Sequence, residues 1–145
     1  MSKNRRPPDH GDRESRRQKA IERLGGYDRS CLICRKTNPI YLELDHVAGR
    51  AYDDETQALC SNHHGDKSDR QKDHPGKIEN CTNTLEVIAH WLFNLGDLLL
   101  IASEEPYGAE LKDLLSYVAA KLHELGRILI DLACNATLSI DGGTK

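Results

Sequence analysis

Two short-spaced pairs of sulfur and nitrogen ligands stand out in this chain, Cys31-x2-Cys34 and Cys60-x2-His63, separated by 25 residues. A tetrahedral zinc ion takes four such ligands, and two hooks brought together are its usual structural solution. Four protein ligands leave no position for water, so an ion held this way would staple a fold rather than catalyse. The cysteine count is five, an odd number, and the basic start MSKNRRPPDHGDRESRR has no apolar run, so a disulfide framework is not expected. Cys81 and Cys134 are expected to be plain thiols.

A second group has residue types suited to acid–base and metal chemistry. Tyr41-Leu42-Glu43-Leu44-Asp45-His46 alternates apolar and polar residues, a strand signal. Neighbouring side chains on a strand point to opposite faces, so Asp45 and His46 are expected to do different jobs, one as metal ligand and one as base. His64 directly follows the zinc-type His63; on a helix it turns away from that site and can face another. His10, His74 and His123 read as structural or solvated histidines.

These residues need elements to hold them. Residues 1–12, with Pro7-Pro8 and Gly11, read as a disordered basic arm, followed by a short helix from about Glu14 to Leu24 that Gly25-Gly26 stops. Two short strands, 41–46 and 57–60, precede a polar helix from Asn62 to about Lys72, with Ser61 as its N-cap. The second half changes period. Leu85, Ile88, Leu92, Leu95, Leu99 and Ala102, then Leu115, Val118, Leu122, Leu125, Leu129 and Leu132, each follow a 3-4-3-4-3 spacing. That predicts two long, coiled-coil-like antiparallel helices. Glu86, His90, Asn94 and Asp97 form a polar stripe on the first of them, read as a solvated or inter-subunit face in preference to a second metal site. The same four residues interrupt the longest apolar stretch, which argues against a membrane span and for a soluble, cytoplasmic protein.

Taken together, Cys31-x2-Cys34, then Leu42-Glu43-Leu44-Asp45-His46-Val47, then Leu59-Cys60-Ser61-Asn62-His63-His64-x2-Lys67 resembles the zinc-containing HNH endonucleases in order, spacing and residue types. The resemblance covers about residues 31–68. It implies a ββα-metal core in which His46 is the general base, Asp45 and His64 bind a catalytic Mg²⁺ or Mn²⁺, and Cys31, Cys34, Cys60 and His63 hold structural zinc. Two positions depart from the family. His63 stands where a fourth cysteine is usual, and imidazole serves zinc equally well. The middle Asn, which orients the base histidine, is absent. Glu55 lies five residues before Cys60, with Asp54 beside it, and either carboxylate could accept the imidazole N–H.

The fold class expected is therefore α+β: a small zinc-stapled ββα-metal core with an N-terminal helix and a long C-terminal antiparallel helical hairpin. The divisions are an arm (1–12), a core with its leading helix (13–80), the hairpin as a dimerisation element (81–135) and a flexible tail (136–145). The net charge is −3, but residues 1–29 carry nine Lys and Arg against five Asp and Glu, whereas residues 81–145 carry four against nine. Phosphate contact is accordingly expected from the arm, at Arg16 and Arg17, and from Lys67, Arg70 and Lys72 on the core helix. The function the resemblance implies is DNA phosphodiester hydrolysis, a nicking activity giving 5'-phosphate and 3'-hydroxyl ends, and the heptad spacing adds the expectation of a homodimer joined through its C-terminal helices. The alternative is a zinc-stapled binding module that keeps the scaffold with weak or no catalysis.

Overall fold

The computed structural model describes residues 10–77 and 84–141, with side chains described for 12–77 and 84–135. Helix α1 spans His10–Arg23, strand β1 Leu42–His46, strand β2 Thr56–Cys60, helix α2 Ser61–Arg70, helix α3 Thr84–Glu104 and helix α4 Lys112–Asp141. The fold is α+β, with one two-stranded antiparallel sheet. The expected arm lies largely outside the described residues, and its last three positions, 10–12, already belong to α1. At the other end α4 continues to Asp141, into the segment 136–145 expected to be a tail, whose last four residues lie outside those described.

Local chemistry explains the elements around the sheet. Gly25 and Gly26 take positive φ values of 86° and 78°, and the Gly26 N–H returns to the Ile21 carbonyl at 2.9 Å, closing α1 with conformations that side-chain-bearing residues avoid. Arg23 then donates to the Leu42 carbonyl at 2.7 Å, tying α1 to the start of β1. The strands pair from Leu42↔Cys60 to His46↔Thr56, so the two ends of the hairpin bring Cys60 and His46 to opposite extremities of one ladder. Helix α2 begins immediately after β2. Cys60, not Ser61, is its N-cap, and without a side-chain cap bond, while the Ser61 hydroxyl donates to the Tyr41 carbonyl at 3.3 Å.

Helices α3 and α4 pack antiparallel along each other: Gly96 faces Ala119 and His123, and Phe93 faces Gly126 and Ile130 further down α4. The residues that make this seam differ from those the heptad spacing picked. Small side chains form it, with Ala89, Ala119 and Ala133 at 0% exposure, and a Cβ on Gly126 would meet the Phe93 ring at 2.7 Å. Close approach of the two backbones leaves part of the heptad series outside, although Leu129 packs against the seam. Ile88, Leu95, Val118, Leu125 and Leu132 are exposed. The far end of α3 does something else: Leu98 and Ile101 join Leu24, Ile33, Leu42 and Leu59 in one apolar cluster around Cys31 and Cys60. The hairpin is thus packed directly onto the core.

The polar stripe of α3 is the clearest correction. Glu86, Asn94 and Asp97 are 1% exposed and His90 is 7%, so this face is neither solvated nor on the surface. By length and composition alone α3 would qualify as a membrane span, although only half of its most apolar window is buried in the fold. Its four polar side chains point into protein instead. The His90 ring stacks on Tyr52 at 3.8 Å between centroids, and burial, with the nearby His74, pushes its pKa down to about 4 from 6.5.

The sign of the pH effect follows. Between pH 6.5 and about 4 the unfolded chain takes up a proton on His90 that the folded chain refuses, so stability falls as pH drops through that window. The expected loss is about 3 kcal/mol across it, from about 1.4 kcal/mol per pKa unit. Denaturant unfolding of the wild type and of His90→Phe at pH 7 and pH 4.5 measures it: the variant should show a smaller acid-dependent loss.

Candidate functional site

The four ligands picked from spacing come together. Cys31 lies in a tight knuckle: its N–H bonds to the Lys36 carbonyl at 2.8 Å, and Arg35, at φ 61°, donates its N–H back to the Cys31 carbonyl at 2.9 Å. That turn aims Cys31 and Cys34 at Cys60, the last residue of β2, and at His63 in the first turn of α2. The ligand atoms of all four lie within 4.8 Å of one another. Individual spacings are 3.3 Å from Cys31 Sγ to His63 Nδ1, 3.4 Å from Cys60 Sγ to the same nitrogen and 3.8 Å from Cys34 Sγ to Cys60 Sγ. Tetrahedral bonds of about 2.3 Å to sulfur and about 2.0 Å to nitrogen require ligand separations of this size. The group could hold a metal ion such as zinc.

Its surroundings fit that use. His63 Nε2 lies 2.6 Å from Glu105 Oε1, so Nε2–H donates to a carboxylate and Nδ1 is turned to the cysteines, where it would give its lone pair to a bound ion and otherwise donates N–H to Cys31. Glu105 follows α3 in the chain, so the hairpin supplies this outer support. The sequence alone offered no signal for it. Burial raises the Cys31 thiol pKa, but hydrogen bonds from His63 and from main-chain groups outweigh it and bring the value down to about 6. A thiolate ready at neutral pH is what a metal ligand needs.

Asp45, His46 and His64 also meet. All three line one pocket of about 170 Å³, with Gly49, Arg50 and Ser68 among its other walls. The two neighbouring residues at the end of β1 both line this cavity. His46 Nδ1 lies 2.9 Å from the Asp53 carbonyl oxygen. A carbonyl can only accept, so Nδ1 carries a proton, and the tautomer this selects has its lone pair on Nε2. The main chain thereby does what was expected of Glu55 or Asp54. Glu55 is exposed and contributes only backbone, its carbonyl to the Val47 N–H at 2.9 Å and its N–H to Asp53 Oδ1 at 3.0 Å.

His64 is oriented by a residue that sequence reasoning passed over. Its Nδ1 is 3.2 Å from Glu43 Oε2, and its Nε2 is 3.6 Å from Asp45 Oδ1. Glu43 is two residues before Asp45 on β1, so strand alternation was the available signal. A His–Asp pair at this separation, backed by a second carboxylate, can share a divalent ion that keeps waters in its remaining positions. Arg50 was passed over as well, and it lines the same pocket.

The basic residues assigned to phosphate are mostly occupied. Lys67 is 0% exposed; its ammonium pairs with Asp45 Oδ2 and donates to the His46 carbonyl at 3.0 Å. Burial lowers its pKa, against the opposing pull of Asp45. It is a brace for the Asp45–His46 strand end, not a surface contact. Arg70 is held between Asp66 at 3.2 Å and Glu104 at 2.8 Å, and Lys72 pairs with Asp69 at 2.7 Å. Arg16 and Arg17 line a broad groove of about 890 Å³ with Thr37, Asn38 and Tyr41, which shares no lining residue with the Asp45 pocket. Comparison with known protein families, curated proteins and solved structures finds no match. The functional reading therefore rests on the geometry itself.

Proposed function

We propose that this chain is a metal-dependent endonuclease of the HNH type, hydrolysing DNA phosphodiester bonds one strand at a time to leave 5'-phosphate and 3'-hydroxyl ends. The observation that carries the reading is the meeting of His46, Asp45 and His64 at one small pocket, with His46 held by the Asp53 carbonyl so that Nε2 is the basic nitrogen. A neutral imidazole there takes the proton from an attacking water. Arg50 offers its guanidinium to a non-bridging phosphate oxygen. Asp45 and His64 would hold Mg²⁺ or Mn²⁺, which supplies positive charge at the phosphate and the leaving 3'-oxygen. Glu43 keeps the His64 ring turned toward Asp45, and Lys67 keeps Asp45 in place. Zinc on Cys31, Cys34, Cys60 and His63 is the staple that fastens the knuckle to the β2–α2 junction.

One feature favours a second reading, a binding module without catalysis: the Lys67 ammonium already sits on Asp45, where it supplies the positive charge a divalent ion would bring. A supercoiled-plasmid assay with zinc-loaded protein in EDTA, Mg²⁺ or Mn²⁺ separates the two. Open-circular product that needs Mg²⁺ or Mn²⁺ supports the nuclease. Intact plasmid in both metals, from protein that binds DNA, supports the module.

The reading includes a homodimer. The exposed faces of α3 and α4 carry Ile88, Leu95, Val118, Leu125 and Leu132, residues of the two heptad series that the intrachain seam left outside. Two copies related by a two-fold axis would bury these faces in a four-helix bundle. Sedimentation should give a dimer for the wild type and a folded monomer for Leu125→Glu. A wild-type monomer at tens of micromolar would remove the dimer.

A further inference from the structure

We propose a second metal site, formed by His74, Asp97 and His123, that takes a first-row divalent ion such as Zn²⁺ and clamps the segment following α2 to the helical hairpin. The three residues come from three places: the extended residue after the 3-10 turn Gln71–Asp73, the middle of α3, and α4. Their ligand atoms lie within 4.8 Å of one another. His74 Nε2 is 3.1 Å from Asp97 Oδ2, and His123 Nε2 is 3.3 Å from Asp97 Oδ1. Nitrogen and oxygen ligands about 2.0–2.2 Å from one tetrahedral ion stand about 3.3 Å apart, so little movement would complete the coordination.

Unmet polar demand points the same way. Asp97 is 1% exposed, and its Oδ2 makes no hydrogen bond of proper geometry among the described residues; nor do both amide atoms of Asn94, one turn earlier on the same face. The neighbour of Asp97 Oδ2, His74 Nε2 at 3.1 Å, is poorly aligned for a hydrogen bond, and a buried carboxylate oxygen so weakly served costs about a kcal/mol or more and is normally satisfied by a proton, a water or a metal. Two neutral imidazoles and one carboxylate around a divalent ion supply what this site lacks, and the set His2Asp leaves a fourth position open. There is space for that position. A pocket of about 180 Å³ reaches the three ligands, with Arg70, Asp73 and Arg127 also on its walls.

Gly96 adds a third observation. It precedes Asp97 in the interior of α3, where glycine costs about 1 kcal/mol relative to alanine. A Cβ there would fall onto the imidazole of His123. The glycine makes room for that ring to reach Asp97. His123 Nε2 also lies 3.2 Å from the Phe93 carbonyl, a hydrogen bond that coordination would replace.

The test counts metal in the full chain. Protein equilibrated with several-fold excess Zn²⁺ and desalted should retain two ions per chain by atomic spectroscopy. His123→Ala and Asp97→Asn should retain one, and His74→Gln, altered outside the helices, gives the same loss where a helix substitution disturbs folding. With Co²⁺, the ion lost in these variants should contribute d–d absorption without a thiolate-to-metal charge-transfer band, which sets it apart from the cysteine site. One ion in the wild type, or two that survive His74→Gln and Asp97→Asn, would overturn the proposal. Either result leaves the nuclease reading untouched, because neither involves Asp45, His46 or His64.

Discussion

Loss of the proposed zinc from the Cys31, Cys34, Cys60 and His63 cluster, by chelation or by Cys60→Ala, is expected to unfold the β1–β2–α2 region while the helical hairpin keeps its helix. The apolar cluster around those ligands is small, and Cys31 and Cys60 are themselves among its buried members. Its sheet has two strands and α2 ten residues, units that hold poorly by themselves, and the hairpin adds only Leu98 and Ile101 to the buried cluster. Structural zinc contributes about 10 kcal/mol or more of binding free energy to small domains, comparable to the whole stability of a typical one, about 5–15 kcal/mol. Helices α3 and α4 have a separate seam at Ala89, Phe93 and Ile130, so they are expected to persist. Circular dichroism should therefore lose a minority of its helical signal, and limited proteolysis should cut first between residues 25 and 77. Cys134→Ala, which alters a thiol packed against the hairpin seam, should leave metal content unchanged. Unaltered protease resistance in metal-free protein would mean that apolar packing alone holds the core.

Much of this site was legible because its chemistry is local in sequence. The two ligand hooks, the Asp45-His46 dipeptide and the His63-His64 pair each sit within a few residues on one element, and element type then sets their directions. Glu105, which holds His63, is 42 residues away from it, and no local period announces such a partner. The same limit explains Lys67. Its spacing from His63 and His64 placed it correctly on α2, but whether that face looks to solvent or to Asp45 is decided by what packs above it. The hairpin's seam was misread for a different reason. Regular leucine spacing identifies a helical seam, but not whether that seam closes within the chain. Gly96, Ala119 and Gly126 let α3 and α4 approach more closely on another face, and the polar stripe followed them inside. Buried Asn94 and Asp97 are costly unless satisfied, so a sequence reading that weighs cost alone will place them outside.

His46→Ala is expected to lower metal-dependent plasmid nicking by about 10²–10⁴-fold, the usual contribution of a positioned general base. That corresponds to about 3–5 kcal/mol of transition-state stabilisation. Zinc content and thermal stability should change little, because His46 is half-buried at the end of β1 and no ligand of the cysteine cluster touches it. The informative companion is Glu55→Gln. If the Asp53 main-chain carbonyl orients the imidazole, this exposed carboxylate can be neutralised with a change of less than about threefold, since surface substitutions away from such contacts stay within about 0.5 kcal/mol. A loss as large as that of His46→Ala would return the orienting role to the Glu55 side chain. Asp45→Asn should abolish Mn²⁺-dependent cleavage for a separate reason, since it removes both the charge that Lys67 neutralises and the oxygen facing His64. Cleavage by His46→Ala at the wild-type rate would exclude His46 as the base. Water would then have to be activated by the bound ion alone, with the pocket serving only to place the phosphate.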